Sequence, residues 1–362
     1  MTGPAARPWV VVSNYPTWPS PYFAELERHA SPELRLVFVP DLAGLSDLPG
    51  PPGVVNLHRL KRLYRQPDGG RTLAAAEAML SRLSTLRERG WRIVWTVHNL
   101  LPIDGGPPHD ADHRACTGVL ALADTLIAHT RADAAHLATM TDAPVTVAGW
   151  AAPTWAADHH PAPVEVINLA RGIAQVPYPV LLLGNLTTYK DLPSVVGAFT
   201  THTRRAHLFL AGPCRDDGLT AALTGAAADS GGRVHLHLGR IPPGHAHLLY
   251  AAAAAALCPY RTDGSWEFFT RVLYPASVAA AVTHGTPVIA PDLAAIREMT
   301  TGHPRWLYPP RLGSGPALAI AEAASQPSRV TPRIGSTPRW EAIGSAYLDL
   351  SRNLLAGSPR GG

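Results

Sequence analysis

The sequence predicts an α/β protein built from two doubly wound halves. Short apolar, β-branched runs alternate with helical stretches from residue 9 to residue 148, and the alternation starts again after a connection at 151–163 rich in Pro, Ala and His. A length of 362 residues with 46% hydrophobic content is enough for two cores of ordinary size. Strands that alternate with helices pair in parallel, and both faces of such a sheet are buried.

In the first half, Trp9 to Val12, Leu34 to Val39, Gly53 to Leu57, Ile93 to Val97, Thr125 to Ala128 and Val145 to Ala148 read as buried strands. Pro21 to His29, Thr72 to Arg89, His113 to Ala123 and Arg131 to Met140 read as the helices between them. In the second half the expected strands are Val180 to Leu183, His207 to Ala211, Val234 to Leu238, Ala254 to Cys258 and Pro287 to Ala290. The expected domains are 1–160 and 161–335, with a closing segment at 336–362. Paired doubly wound sheets put the carboxyl ends of their strands along a cleft, the default ligand site of this architecture.

Bulk composition narrows the function classes. The formal net charge is +4, but the arginines are scattered and form no basic-aromatic module, so a nucleic-acid partner is not predicted. The basicity instead favours anionic small molecules, with at most weak peripheral contact with an anionic membrane face. Cys116, Cys214 and Cys258 are odd in number and far apart, which predicts buried reduced thiols. The start of the chain lacks a signal-type apolar stretch, and a cytoplasmic setting is expected. Neither half carries Gly-x-Gly-x-x-Gly after its first strand, and no P-loop is present, which removes the dinucleotide and P-loop readings. His109 and His113 with Asp110 and Asp112, His159-His160, and His235 with His237 form no closed metal set; no metal and no cofactor are predicted, and capping or solvent-facing histidines are.

Only two of the thirty-one basic side chains are lysines, Lys61 and Lys190. In a chain that otherwise writes Arg, a retained Lys suggests a need for a compact ammonium. Lys190 follows the run Leu181-Leu-Leu-Gly-Asn-Leu-Thr-Thr-Tyr, a strand, a glycine turn and a helix start. Gly184 permits close backbone approach, and free amides at a helix start attract an anion. The plain alternative is a solvated Lys at an ordinary turn.

Two further segments carry chemistry. Ile93-Val-Trp-Thr-Val-His-Asn places His98 and Asn99 at a strand's carboxyl end, where a His either contacts substrate or satisfies backbone. From Ala255 to Pro291 a strand ends in Pro259-Tyr-Arg261, a polar loop follows, and a small-residue helix leads into Gly285-Thr-Pro-Val. Small residues at the helix start admit a ligand to the backbone or merely pack tightly on the sheet.

In this order the segments resemble the retaining glycosyltransferases of family 4, whose fold is GT-B. The likeness extends to Asn14–Tyr22 as the first cleft loop, Ala123-Asp-Thr-Leu-Ile-Ala-His129 as a strand motif, and Trp340 to Leu355 as a helix closing onto the N-terminal domain. It implies a sugar transferred from a nucleoside diphosphate to a hydroxyl or amine of an acceptor, and the short N-terminal half, with no evident membrane-binding amphipathic helix, suits a small soluble acceptor such as a specialised metabolite. It also implies His98 at the reaction centre and Lys190 on the leaving diphosphate. Donor contacts would come from Gly184, Asn185, Thr187, Gly212, Tyr260, Arg261, Glu267, Arg271, Tyr274, Pro275, Ala276 and Ser277, and acceptor contacts from Asn14, Tyr15, Trp18 and Asn99. The chain departs from the family where an Arg usually precedes the Lys, here Asn185-Leu-Thr-Thr, and where two glutamates stand, here Val272 and Ala280. Those departures leave room for two other readings: a pseudo-glycosyltransferase joining a nucleotide-activated cyclitol to an amine, and a non-catalytic partner of the same shape.

Overall fold

A computed structural model describes residues 7–17, 20–103, 106–151, 161–324 and 340–356. The chain divides into two compact units: Met1–Trp150 with Arg271–Tyr274 and Pro338–Gly362, and Ala151–Thr270 with Pro275–Thr337. Each is built on a six-stranded, all-parallel sheet.

In the first unit the strands are β1 (Trp9–Val12), β2 (Leu36–Val39), β3 (Val54–Leu57), β4 (Arg92–Thr96), β5 (Thr125–Ala128) and β6 (Val145–Val147). Their order is β2-β1-β3-β4-β5-β6. β1, β3 and β5 are buried throughout, which is why they read as unbroken apolar runs rather than alternating ones. The helix Leu73–Glu88 starts where Thr72 accepts a hydrogen bond from the Ala75 N–H, and it turns Ala76, Met79, Leu80, Leu83 and Leu86 inward. Arg131–Leu137 is capped in the same way by Thr130. The helix Trp340–Ala356 packs against Pro21–His29 within this unit. Gly344 makes that approach possible, since a Cβ there would stand 2.1 Å from the His29 carbonyl oxygen.

In the second unit the strands are β7 (Pro179–Leu183), β8 (His207–Ala211), β9 (Val234–His237), β10 (Ala255–Leu257), β11 (Val288–Pro291) and β12 (Arg305–Tyr308). The order β12-β11-β10-β7-β8-β9 reverses direction between β7 and β10, the place where open parallel sheets take ligands. β12 is absent from the sequence-based set: it is a four-residue edge strand, mostly half-buried, and its short Arg-Trp-Leu-Tyr run has no strand period to show. The core on one face joins Val180, Leu182, Leu208, Leu210 and Ile289 to Phe199, Leu223 and Leu318. Glu322, on the helix Gly315–Ala323, closes it by accepting hydrogen bonds from the N–H groups of Arg204, Arg205 and Ala206 at 2.6–3.1 Å. Those amides hold its carboxyl below the usual range against the opposing effect of burial.

Among the described residues no helix is long and apolar enough to cross a membrane. Cys116 and Cys258 are buried free thiols, but Cys214 is half-exposed, because it lies in the loop leaving β8 rather than in the strand. That corrects the expectation of three buried cysteines.

Candidate functional site

Lys190 is built into the switch point of the second sheet. β7 ends at Gly184, and the chain runs on beside the segment leaving β8, with Gly184 N–H bonded to the Ala211 carbonyl and Leu186 N–H to the Pro213 carbonyl, both 2.9 Å. Gly184 and Gly212 have φ of +118° and +140°, a region that favours glycine. The turn Thr188–Lys190 and the left-handed Asp191 then carry the chain into the helix Leu192–His202. This geometry brings the Lys190 ammonium back over the strand end, about one van der Waals contact from where a Gly184 side chain would begin.

Lys190 is only 5% exposed, and no carboxylate among the described residues pairs with it. Beside it stand the Tyr189 ring, 6.0 Å from Nζ, and the Cys258 thiol, whose own pKa burial pushes up to about 11. Burial lowers the Lys190 pKa to about 8, so at neutral pH it remains mostly a cation. A buried, unpaired ammonium is costly unless an anion completes it.

Around it stand residues that leave β10. Tyr260 OH and Ser277 Oγ are 3.0 Å apart, joining the end of that strand to the helix Ala276–Thr283. Arg261 N–H donates to the Tyr189 carbonyl at 2.9 Å, and an aromatic group of Tyr189, Tyr260, Trp266 and Phe269 backs the turn. The structure thus gathers Gly184, Thr187, Lys190, Gly212, Tyr260 and Ser277 into one region, with Pro275 and Ala276 at the helix entry and Asn185 exposed on the turn.

Four of the sequence-predicted donor residues are placed otherwise. Arg261 is held by Asp263 through Nε–Oδ1 at 3.0 Å and Nη2–Oδ2 at 2.7 Å. Glu267 lies exposed on the short turn Gly264–Thr270. Arg271 and Tyr274 belong to the first unit, as does Val272, which is fully buried there. The strap Arg271–Tyr274 is bound by Leu273 N–H to Asp133 Oδ1 at 3.1 Å and by Tyr274 N–H to the His98 carbonyl at 2.8 Å.

In the first unit the carboxyl ends of β3, β4 and β5 each carry a histidine: His58, His98 and His129. The parallel register sets Thr96 against Ile127, so His98 and His129 emerge side by side. His98 Nε2 lies 3.0 Å from His58 Nδ1, and His98 Nδ1 lies 3.0 Å from His129 Nε2. The ends of this chain are the Asn56 Oδ1 atom, 2.9 Å from His58 Nε2, and the Gly149 carbonyl, 3.1 Å from His129 Nδ1. His58 and His129 are buried and His98 half-buried. Burial is the main cause that pushes the pKa of each ring down, to about 4 for His129. Tyr22 stands edge-on 5.0 Å from His98, and the Tyr274 ring lies 4.3 Å from His129.

His58 and Tyr22 were not among the sequence-predicted site residues. A signal for His58 existed: Val54-Val-Asn-Leu-His repeats the pattern of an apolar strand closed by His that singled out His98. The sequence reading of His98 as a substrate contact or a backbone-bonded strand end did not include these ring-to-ring contacts, which arise because parallel pairing turns strand-end side chains toward one another. Among the described residues no group of His, Cys, Asp or Glu is arranged to hold a metal ion. His159 and His160 lie outside the described residues.

Of the acceptor candidates, Asn14 is exposed and Trp18 lies outside the described residues. Tyr15 donates to Glu27 Oε2 at 2.6 Å and packs on Phe38, which occupies both its hydroxyl and its ring. Asn99 Oδ1 is buried with no hydrogen-bond partner among the described residues.

No family model matches the chain, and no curated protein matches it. Solved structures do. The trehalose-6-phosphate synthase of Burkholderia multivorans is 14% identical with a TM-score of 0.61, over 92% of this chain and 75% of the other. The UDP-forming trehalose-phosphate synthase of Burkholderia vietnamiensis is 12% identical with a TM-score of 0.60, over 88% and 75%. Anabaena HepE in complex with UDP-glucose is 16% identical with a TM-score of 0.51, over 84% and 76%. At these identities the likeness is one of fold: two six-stranded parallel sheets with flanking helices, the GT-B architecture.

Proposed function

We propose that the protein is a glycosyltransferase that uses a nucleoside diphosphate sugar. The observation that carries this reading is Lys190, a buried ammonium with no carboxylate partner among the described residues, at the switch point of the second sheet. An anionic diphosphate is the ligand that satisfies it, with the glycine-lined strand end allowing phosphate oxygens close to the backbone. Structures sharing the fold include a UDP-forming enzyme and a complex with UDP-glucose, which favours that class of donor.

In the proposed reaction the acceptor oxygen or nitrogen bonds to the anomeric carbon as the carbon–oxygen bond to the diphosphate breaks. The leaving diphosphate keeps the electron pair and takes the acceptor proton. Fixed positive charge from Lys190 stabilises the charge that grows on the leaving group. Retention of anomeric configuration, and His98 beside the reacting sugar, follow from the family resemblance and form part of the proposal. A small soluble acceptor is proposed, since the long helix Leu73–Glu88 turns Met79, Leu80, Leu83 and Leu86 into the core and leaves Leu73 alone among its large apolar side chains exposed.

Thermal unfolding with UDP, GDP and dTDP tests the donor assignment, because a ligand that binds only the native state raises its melting temperature. One of these should stabilise the wild type, and Lys190→Met should remove that shift. A wild type indifferent to all nucleoside diphosphates would sink the reading in favour of a non-catalytic partner. Transfer from a labelled sugar or cyclitol nucleotide then separates glycosyl transfer from cyclitol coupling.

A further inference from the structure

We propose that His58, His98 and His129 bind a single proton as one unit, with His58 and His129 acting as positioning residues for the central ring of His98. The argument is a count of protons along a chain whose two ends can only accept. At one end the Gly149 carbonyl offers lone pairs alone. At the other, the Asn56 amide is oriented by neighbours with a single role each. Trp9 Nε1–H donates to Oδ1 at 3.3 Å, while Nδ2 faces the carbonyl oxygens of Leu57 and Val94 at 3.4 Å. Flipping the amide would set the Trp9 N–H against an NH₂ group and two carbonyls against Oδ1, so Oδ1 is the atom His58 meets.

Between these ends run four contacts of 2.9 to 3.1 Å. Each needs one proton to be a hydrogen bond rather than a meeting of two lone pairs. Three neutral imidazoles bring three protons, one per ring. A neutral chain therefore leaves one contact without its proton, and no contact is lengthened to show where. One added proton completes all four at once, and because the rings are linked it belongs to the chain and not to a single residue.

A second proton is not accommodated. The groups facing the rings are Arg59, which disfavours charge on His58 and His98, together with Tyr22, Tyr274 and, through Thr96, Tyr347. Asp133, on the helix that follows His129, is engaged by Thr130 Oγ1 at 2.7 Å and by Leu273 N–H. Burial and mutual repulsion act against charge on every ring, so the proton that completes the hydrogen bonds is the one the cluster takes. The Tyr274 ring, 4.3 Å from His129 and tilted by 36°, stands close enough to interact with an imidazolium there.

The test is a pH titration of the full chain, labelled with ¹⁵N-histidine, in which ring nitrogen resonances report protonation and tautomer. The wild type should show one transition common to the three rings, amounting to a single proton, above about pH 5 and displaced downward from the ordinary imidazole value of about 6.5, the direction in which burial moves each ring. His129→Phe leaves two rings, two contacts and two protons ending on Asn56, and His58→Phe leaves the mirror-image chain ending on Gly149. Both are complete when neutral, so the common transition should vanish in each, while Tyr22→Phe should keep it. Separate transitions in the wild type, rings that stay neutral down to pH 5, or a transition that survives both substitutions would overturn the proposal. The wild-type spectra decide the matter even where a variant fails to fold. Because no donor is needed, the outcome is independent of the glycosyltransferase reading.

Discussion

Gly212 approaches Gly184 so closely that a Cβ on Gly212 would stand 2.2 Å from the Gly184 carbonyl oxygen. The ends of β7 and β8 can run side by side only because position 212 has no side chain and accepts φ of +140°. Gly212→Ala should cost about 2–5 kcal/mol, combining strain at positive φ with a backbone clash that no rotamer relieves. Chemical denaturation reads the stability, and loss of nucleoside diphosphate binding should accompany it. A variant as stable as the wild type would mean that the strand ends can part cheaply.

Lys190→Met should strengthen the unliganded fold while it weakens ligand binding. Burying the ammonium lowers its pKa from 10.5 to about 8, and replacing it with an apolar side chain of similar length removes that penalty. The gain is about 1–3 kcal/mol in the absence of ligand. Diphosphate affinity should fall about tenfold or more, the scale of one lost charge-assisted hydrogen bond. Paired denaturation curves with and without nucleotide separate the two effects, and a destabilised variant would contradict the buried-charge account.

The fold was legible because buried parallel strands write themselves as apolar runs. Trp9–Val12 and Thr125–Ala128 have the bounds that the sequence predicted, and others, such as β3 and β8, differ by a residue or not at all. β12 escaped because an edge strand of four residues leaves no period. Lys190 was legible through composition, as one of two lysines. The histidine chain was legible only in part: His98 marks a strand end, but its partners are 40 and 31 residues away and are brought to it by register alone. The strap Arg271–Tyr274 was illegible, since membership of a unit is decided by where the chain packs and not by its neighbours in sequence.

The same lysine sets a pH dependence whose sign can be worked out. Between about 8 and 10.5 the unfolded chain still holds a proton that the folded chain has released. Unliganded stability from this group therefore rises with pH across that window, and below it the group contributes no slope. Affinity for a diphosphate moves the other way, falling up to about tenfold per pH unit above 8 as the cation is lost. Calorimetric titration at several pH values checks this, and affinity flat from pH 7 to 10 would remove Lys190 from the binding site.

Arg261 offers a contrast in the same region. Its guanidinium is already paired, side-on, with the largely exposed carboxylate of Asp263, and only its backbone N–H touches the Lys190 turn. Exposed pairs of this kind contribute little, so Arg261→Ala should change diphosphate affinity by no more than about fivefold. A loss as large as that of Lys190→Met would show that the arginine leaves Asp263 to take the ligand.

Asp133 ties the strap to the first unit through two roles at once. Its own N–H is bonded to Thr130 Oγ1 at 3.0 Å in a helix cap, and its Oδ1 accepts the Leu273 N–H. Asp133→Ala removes both carboxylate contacts, with a cost of about 1–3 kcal/mol for the donors left unpaired. The effect should be local before it is global, because the next bond along the strap, Tyr274 N–H to the His98 carbonyl, then loses its neighbour. Hydrogen exchange at Tyr274 should accelerate at least tenfold while amides of β4 keep their protection. Asp133→Asn, which preserves an acceptor for Leu273, should restore most of the protection. If exchange at Tyr274 stayed at the wild-type rate in Asp133→Ala, the strap would be held by its apolar residues Val272 and Leu273, both buried, and not by this carboxylate.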